Sequence, residues 1–113
     1  MNIGGQLGEW PKVVPLGNQL LAVIRSLMED SDPLLLDHAE DQMWARDIDM
    51  FDIKAVLKNG DIKGEIRPGK NDQEWICKIV YPARLPENHR EIGVVTIVMS
   101  AAELLIMTVE WED

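Results

Sequence analysis

The chain has 113 residues, 46% of them hydrophobic and 27% charged, a globular composition that argues against wholesale disorder and fits a single domain. Twenty acidic against eleven basic residues leave a formal net charge of −9, which repels polyanions at long range and speaks against a dedicated non-specific nucleic-acid binder. The lone Cys77 excludes an internal disulfide, and no apolar run approaches the roughly eighteen residues that cross a bilayer, so the expectation is a cytoplasmic protein without a membrane segment.

Up to residue 15 the chain carries Gly4-Gly5, Gly8 and Pro11 and no helical period. It reads as a flexible N-terminal arm with Trp10 as an anchor, ahead of one α+β domain over 16–113. Leu16, Leu20, Val23, Ile24, Leu27 and Met28 then recur at three- and four-residue steps, predicting an amphipathic helix that ends near Glu29-Asp30. Its apolar side has two destinations: this chain's own sheet or second helix, or a twofold mate, which would make a homodimer through the 16–29 helix.

Ser31-Asp32-Pro33 is a helix start signal, with Asp32 as N-cap and Pro33 in the first turn, where its missing N–H costs nothing. The second helix is expected to run from there to about Arg46, with Leu35, Leu36, Ala39, Met43 and Ile48 marking its packed side. Asp49 caps a third helix, Asp52 three residues on completes a capping box, and Asn59-Gly60 stops it. Phe51, Ile53, Val56 and Leu57 are its expected core side.

Four strands follow. Ile62, Gly64 and Ile66 alternate with Lys63, Glu65 and Arg67 before the Pro68-Gly69 turn. Trp75, Cys77, Ile79 and Tyr81 share one face of the next strand, opposite Ile76, Lys78 and Val80, and Pro82 ends it. The runs Ile92 to Met99 and Leu104 to Trp111 are apolar on both faces and form a hairpin through Ser100-Ala101-Ala102 near the centre of the sheet. Helices first and strands afterwards predict an α+β fold: two to three N-terminal helices packed on one face of a four-stranded, mainly antiparallel sheet.

The candidate chemistry centres on the segment from His38 to Ile48. His38, Gln42 and Arg46 at four-residue steps put a titratable base, an amide and a fixed cation on one helical stripe, a set able to handle a phosphate. Nine of the eleven basic residues fall between Arg46 and Arg90, so a basic face inside an acidic molecule is open. A metal-independent ribonuclease needs a base for the 2′-hydroxyl, cations for the scissile phosphate and an acid for the leaving oxygen. His38 suits base or acid, Arg46, Arg67 and Lys78 suit the clamp, and Tyr81 suits stacking on a base. Each also has a structural reading: His38 as a surface or capping histidine, Arg46 as a helix-dipole partner paired with Asp47 or Asp49, Lys78 as a snorkelling lysine, and Trp75, Tyr81 and Cys77 as core.

Two distant histidines, no paired cysteines and an Asp47, Asp49, Asp52 cluster without the glycine and glutamate of a calcium loop point to no metal and no cofactor.

The order His38-Ala39, Met43, Arg46, then a short helix ending in Asn59-Gly60, with Thr108-Val109-Glu110-Trp111 closing the last strand, resembles a family of small bacterial proteins of unassigned function distantly similar to RelE/BrnT-type ribonuclease toxins. The resemblance spans roughly Leu34 to Asp113. It implies a RelE-like fold and a metal-independent endoribonuclease of a toxin–antitoxin pair, with RNA as substrate, a cognate antitoxin as partner, and His38, Arg46, Arg67 and Lys78 as site residues. The strong acidity departs from the basic character of active toxins. A reading of a different class stands beside it: a non-catalytic acidic protein-binding factor, immunity- or antitoxin-like, whose carboxylates face a basic partner.

Overall fold

The structure, a computed structural model, describes residues 14–71, 74–83, 90–99 and 103–112. The expectations for Trp10, for the loop through Pro86 to His89 and for the Ser100–Ala102 connection lie outside the described residues. Helix α1 spans Gly17–Asp30, strand β1 Leu34–Leu35, α2 Asp37–Arg46, α3 Met50–Asn59, β2 Asp61–Pro68, β3 Glu74–Pro82, β4 Glu91–Met99 and β5 Glu103–Glu112. The strands form one sheet in the order β1-β5-β4-β3-β2. Neighbours pair antiparallel except β1, which runs parallel to β5. The α+β expectation therefore holds, but the sheet has five strands and is mixed, not four and mainly antiparallel.

The fifth strand comes from the segment expected to open the second helix. Leu34 and Leu35 pair with Leu105 and Ile106, and the Leu36 amide donates to the Ile106 carbonyl at 3.0 Å. This pairing outcompetes the Asp-Pro start signal, so α2 begins at Asp37, with Leu36 at its N-cap and no side-chain cap. Asp32 instead meets the Lys54 ammonium at 2.7 Å. The other helix signals hold. Asp49 accepts from the Asp52 amide at 2.9 Å and Asp52 accepts from the Asp49 amide at 3.1 Å, closing the capping box of α3. Gly60 ends α3 for want of space rather than for left-handed backbone: a Cβ there would lie 2.5 Å from the Val80 carbonyl and 2.6 Å from that of Val56.

All three helices lie on one face of the sheet. Leu20, Ile24 and Met28 of α1, Ala39 of α2, and Ile53, Val56 and Leu57 of α3 share a core with Trp75, Cys77, Ile79, Ile92, Val94, Val98, Leu104, Ile106 and Val109. Each fully buried aliphatic side chain contributes about 1.5–3 kcal/mol of apolar transfer. Arg25 of α1 donates to the Gly60 carbonyl at 3.0 Å, tying α1 to the α3–β2 corner. The apolar side of α1 faces this core, the first of the two destinations its period allowed. Two register slips shape the sheet: β2 bulges between Lys63 and Arg67, where Gly64 has φ 82°, and β5 slips at Met107, which has no partner between the Val95–Thr108 and Thr96–Ile106 pairs.

Candidate functional site

Strand β1 covers only two residues of β5, and the outer edge of β5 runs on beyond it. Helix α2 takes over there. The Gln42 side chain, 8% exposed, accepts at Oε1 from the Val109 amide at 2.8 Å, and the Arg46 carbonyl accepts from the Trp111 indole Nε1 at 3.0 Å. The spacings match: four residues of helix rise about 6 Å, and two residues of strand advance about 6.6 Å. A four-residue stripe on α2 therefore lies along alternate residues of β5, and its Gln42 caps an edge amide, that of Val109, that would otherwise stand open to another chain.

His38 completes the stripe. With Gln42 Oε1 committed to Val109, the amide nitrogen faces the ring and donates to His38 Nε2 at 2.9 Å. The imidazole nitrogen is thus engaged as an acceptor from a neutral amide. The stripe singled out in the sequence is real, but Gln42 at its centre is spent on the Val109 edge amide, and at Arg46 it is the backbone carbonyl, not the guanidinium, that holds the Trp111 indole.

The four sequence-derived site residues do not share a cleft. His38 is exposed at the start of α2, and Arg46, half-buried, follows eight residues later, about 12 Å along the helix axis. Arg67 lies exposed on β2, at the opposite edge of the sheet from the β5 edge that α2 covers. Lys78 lies between the core residues Cys77 and Ile79, so it projects from the face that carries no helix. Cys77 is buried beside the Thr96 hydroxyl, and burial pushes its thiol pKa up, as suits a core residue. Tyr81 packs half-buried against the core rather than standing free to stack. Among the described residues, no group of three or more His, Cys, Asp and Glu side chains is placed to hold a metal ion, and no helix is long and apolar enough to cross a membrane.

Sequence reasoning passed over two features. On the helix-free face, the Glu112 carboxylate, 8% exposed, meets Lys63 Nζ at 2.9 Å and Lys78 Nζ at 3.0 Å, joining β5, β3 and β2 across Gly93 of β4. A Cβ at position 93 would stand 2.9 Å from Glu112 Oε2, so a glycine in the strand interior makes room for the carboxylate. Burial works to raise the Glu112 pKa, but hydrogen bonds from Lys63 and Lys78 outweigh it and hold it below the ordinary value. The same hydrogen bond raises that of Lys63.

The second feature is aromatic. Trp44 is 84% exposed and Phe51 74% exposed, on either side of the short α2–α3 connection. Trp44 stands one turn after Glu40 and Asp41 and two turns after Asp37, all exposed, which makes one outward stripe of three carboxylates and an indole. Phe51, expected on the core side of α3, faces solvent instead, because Ile53, Val56 and Leu57 fill that side. The sequence trace was the apolar Trp44 standing one position out of step with the packed Ala39, Gln42 and Met43.

No family model, no curated protein and no solved structure matches this chain.

Proposed function

We propose that this protein is a non-catalytic, acidic protein-binding module whose α2–α3 face receives a basic segment of another protein. One observation carries the reading: Trp44, 84% exposed, at the end of an outward helical stripe of three exposed carboxylates, Asp37, Glu40 and Asp41. A Lys or Arg side chain can lie over the Trp44 ring and reach Glu40 or Asp41 at once, combining a cation–π contact with an ion pair, and Phe51, exposed near the start of α3, adds apolar area. The net charge of −9 steers a basic partner toward the molecule and speeds encounter. The module would then act as an immunity- or antitoxin-like factor, masking a basic surface on its target.

The ribonuclease reading needs a base and a cation within reach of one scissile phosphate. His38 engaged by Gln42, Arg67 at the far edge and Lys78 paired with Glu112 on the other face give it less support than the acidic stripe gives protein binding. Titration with a Lys/Arg-rich peptide, read by calorimetry and by the change in tryptophan emission that is lost in Trp44→Ala, tests the proposal. Binding should weaken steeply with salt and fall about tenfold or more in Trp44→Ala and in Glu40→Lys/Asp41→Lys, the cost of losing one anchor. Cleavage of RNA by wild type that vanishes in His38→Ala and Arg46→Ala would overturn it.

A further inference from the structure

At the edge of the sheet opposite β1, β2 has no strand on its outer side among the described residues. Between Lys63 and Arg67 it leaves the register of β3. There Gly64, at φ 82°, is exposed, and a Cβ built on it would meet nothing within 4 Å among the described residues. Ile62 and Ile66 flank it, half-buried against the core. With Val14, Gly17 and Glu65 these three line a groove of about 540 Å³ between the start of α1 and β2. Bare backbone between two half-covered isoleucines, on an open edge, is a surface that a folded chain has reason to cover.

The N-terminal segment meets the described residues at this groove. Val14 stands on its rim, and Trp10 is four residues upstream, within about 14 Å at full extension. That reach spans the groove and falls short of β1, four strand spacings or roughly 19 Å across the sheet. Pro11 and Pro15 have a fixed φ and bias the residues before them, Trp10 and Val14, toward extended backbone, so little freedom is lost on docking. In an extended run Trp10 and Lys12 point to the same side as Val14. Lys12 is the one basic residue ahead of Arg25, and Glu65, exposed on the groove, has no ion pair among the described residues. An aromatic ring is the side chain suited to cover an edge glycine, because it packs flat on bare backbone. Of the six aromatic residues, Trp75, Tyr81 and Trp111 pack in or against the core, and Trp44 and Phe51 flank the α2–α3 connection. Trp10 is the one that remains.

We propose that residues 10–14 dock in cis along the outer edge of β2, with the Trp10 indole flat on Gly64 and against Ile66 and the Lys12 ammonium on Glu65. This strap covers the β2 edge as α2 covers that of β5, and it denies the edge to strands of other chains.

Two measurements on the full chain test this. Acrylamide quenching of tryptophan emission, taken as the difference between wild type and Trp10→Leu, should find Trp10 several-fold less accessible than Trp44, read likewise from Trp44→Leu. In proton NMR, the Gly64 α-protons beneath the ring should lie upfield and move back in Trp10→Leu, while the core methyls of Ile79 and Val94 stay in place, which separates loss of the strap from loss of the fold. Lys12→Glu should make Trp10 about twofold more accessible, the size of an exposed ion pair, and adding Glu65→Lys should reverse that. A Trp10 as accessible as Trp44, Gly64 protons indifferent to Trp10→Leu, or a double variant no better than Lys12→Glu alone would overturn the proposal. So would shielding that grows with protein concentration, because the groove would then belong to the arm of a second copy.

Discussion

On the helix side of the sheet, Ile79, Val94 and Ile106 are sealed beneath α1, α2 and α3, while on the other side Ile97, Val95 and Leu105 share a surface with the Lys63–Glu112–Lys78 triad. Both sides of β4 and β5 are written in nearly the same apolar alphabet. What separates them is the charge interleaved among the apolar residues and the glycine at position 93 that lets a carboxylate lie down across the strand. Apolar residues on both faces of a strand therefore mark burial on one side and either burial or association on the other.

Mutations on the two faces should differ in size. Ile79→Ala opens a cavity at a site with no exposure and should cost about 2–5 kcal/mol in urea unfolding. Val95→Ala, on the open face, should cost well under about 2 kcal/mol in dilute monomer, where its environment is already half solvent. Equal losses at the two positions would erase the distinction between the faces.

At the junction of α3 and the sheet, Gly60→Ala forces a methyl group onto two carbonyl oxygens and should cost about 1–3 kcal/mol. A variant as stable as wild type would show that the α3–β2 corner has slack. Along the sealed edge, Gln42→Leu leaves the buried Val109 amide without its acceptor and should cost about 1–3 kcal/mol, with faster hydrogen exchange at Val109. His38→Ala should stay within about 0.5 kcal/mol, as expected of an exposed end of the same stripe. Reversal of that order would place the weight of the stripe on the imidazole.

The smallest effect is in the pH profile. The Glu112 pKa is held below its ordinary 4.5, so the triad's contribution is complete above that value and is lost as pH falls through the depressed folded-state pKa. The Lys63 pKa is raised above its ordinary 10.5, so its share is complete below that value and lost as pH rises through the folded-state pKa. Glu112→Gln should flatten both limbs of the stability curve measured by thermal unfolding. An unchanged acid limb would show that other carboxylates carry it.

Much of this was legible in the chain. The capping box at Asp49 and Asp52, the stop at Gly60, the two faces of β3 and the burial of Cys77 follow from local chemistry and period, and the structure has each of them. Strand β1 was not legible, because two residues carry no period and Leu34–Leu35 is extended only through pairing with β5, about seventy residues on. The stripe His38, Gln42, Arg46 was visible as a pattern, but its meaning depends on a backbone amide at Val109 that no local rule can place beside it. Trp44 was legible as out of step with the packed side, whereas Phe51 looked like core because hydrophobicity alone does not say which of four apolar residues in a short helix will fit.

The slip of register at Met107 has an effect on the rest of β5. With strict alternation after Leu104 and Ile106, the next inward positions would be Thr108, Glu110 and Glu112. One unpaired residue inverts the parity, so that Val109 and Trp111 turn toward the helices and the two glutamates turn away. A strand that ran regularly through Met107 would turn its final third over, driving two carboxylates into the hydrocarbon interior and dissolving the ionic bridge that Glu112 makes on the far side.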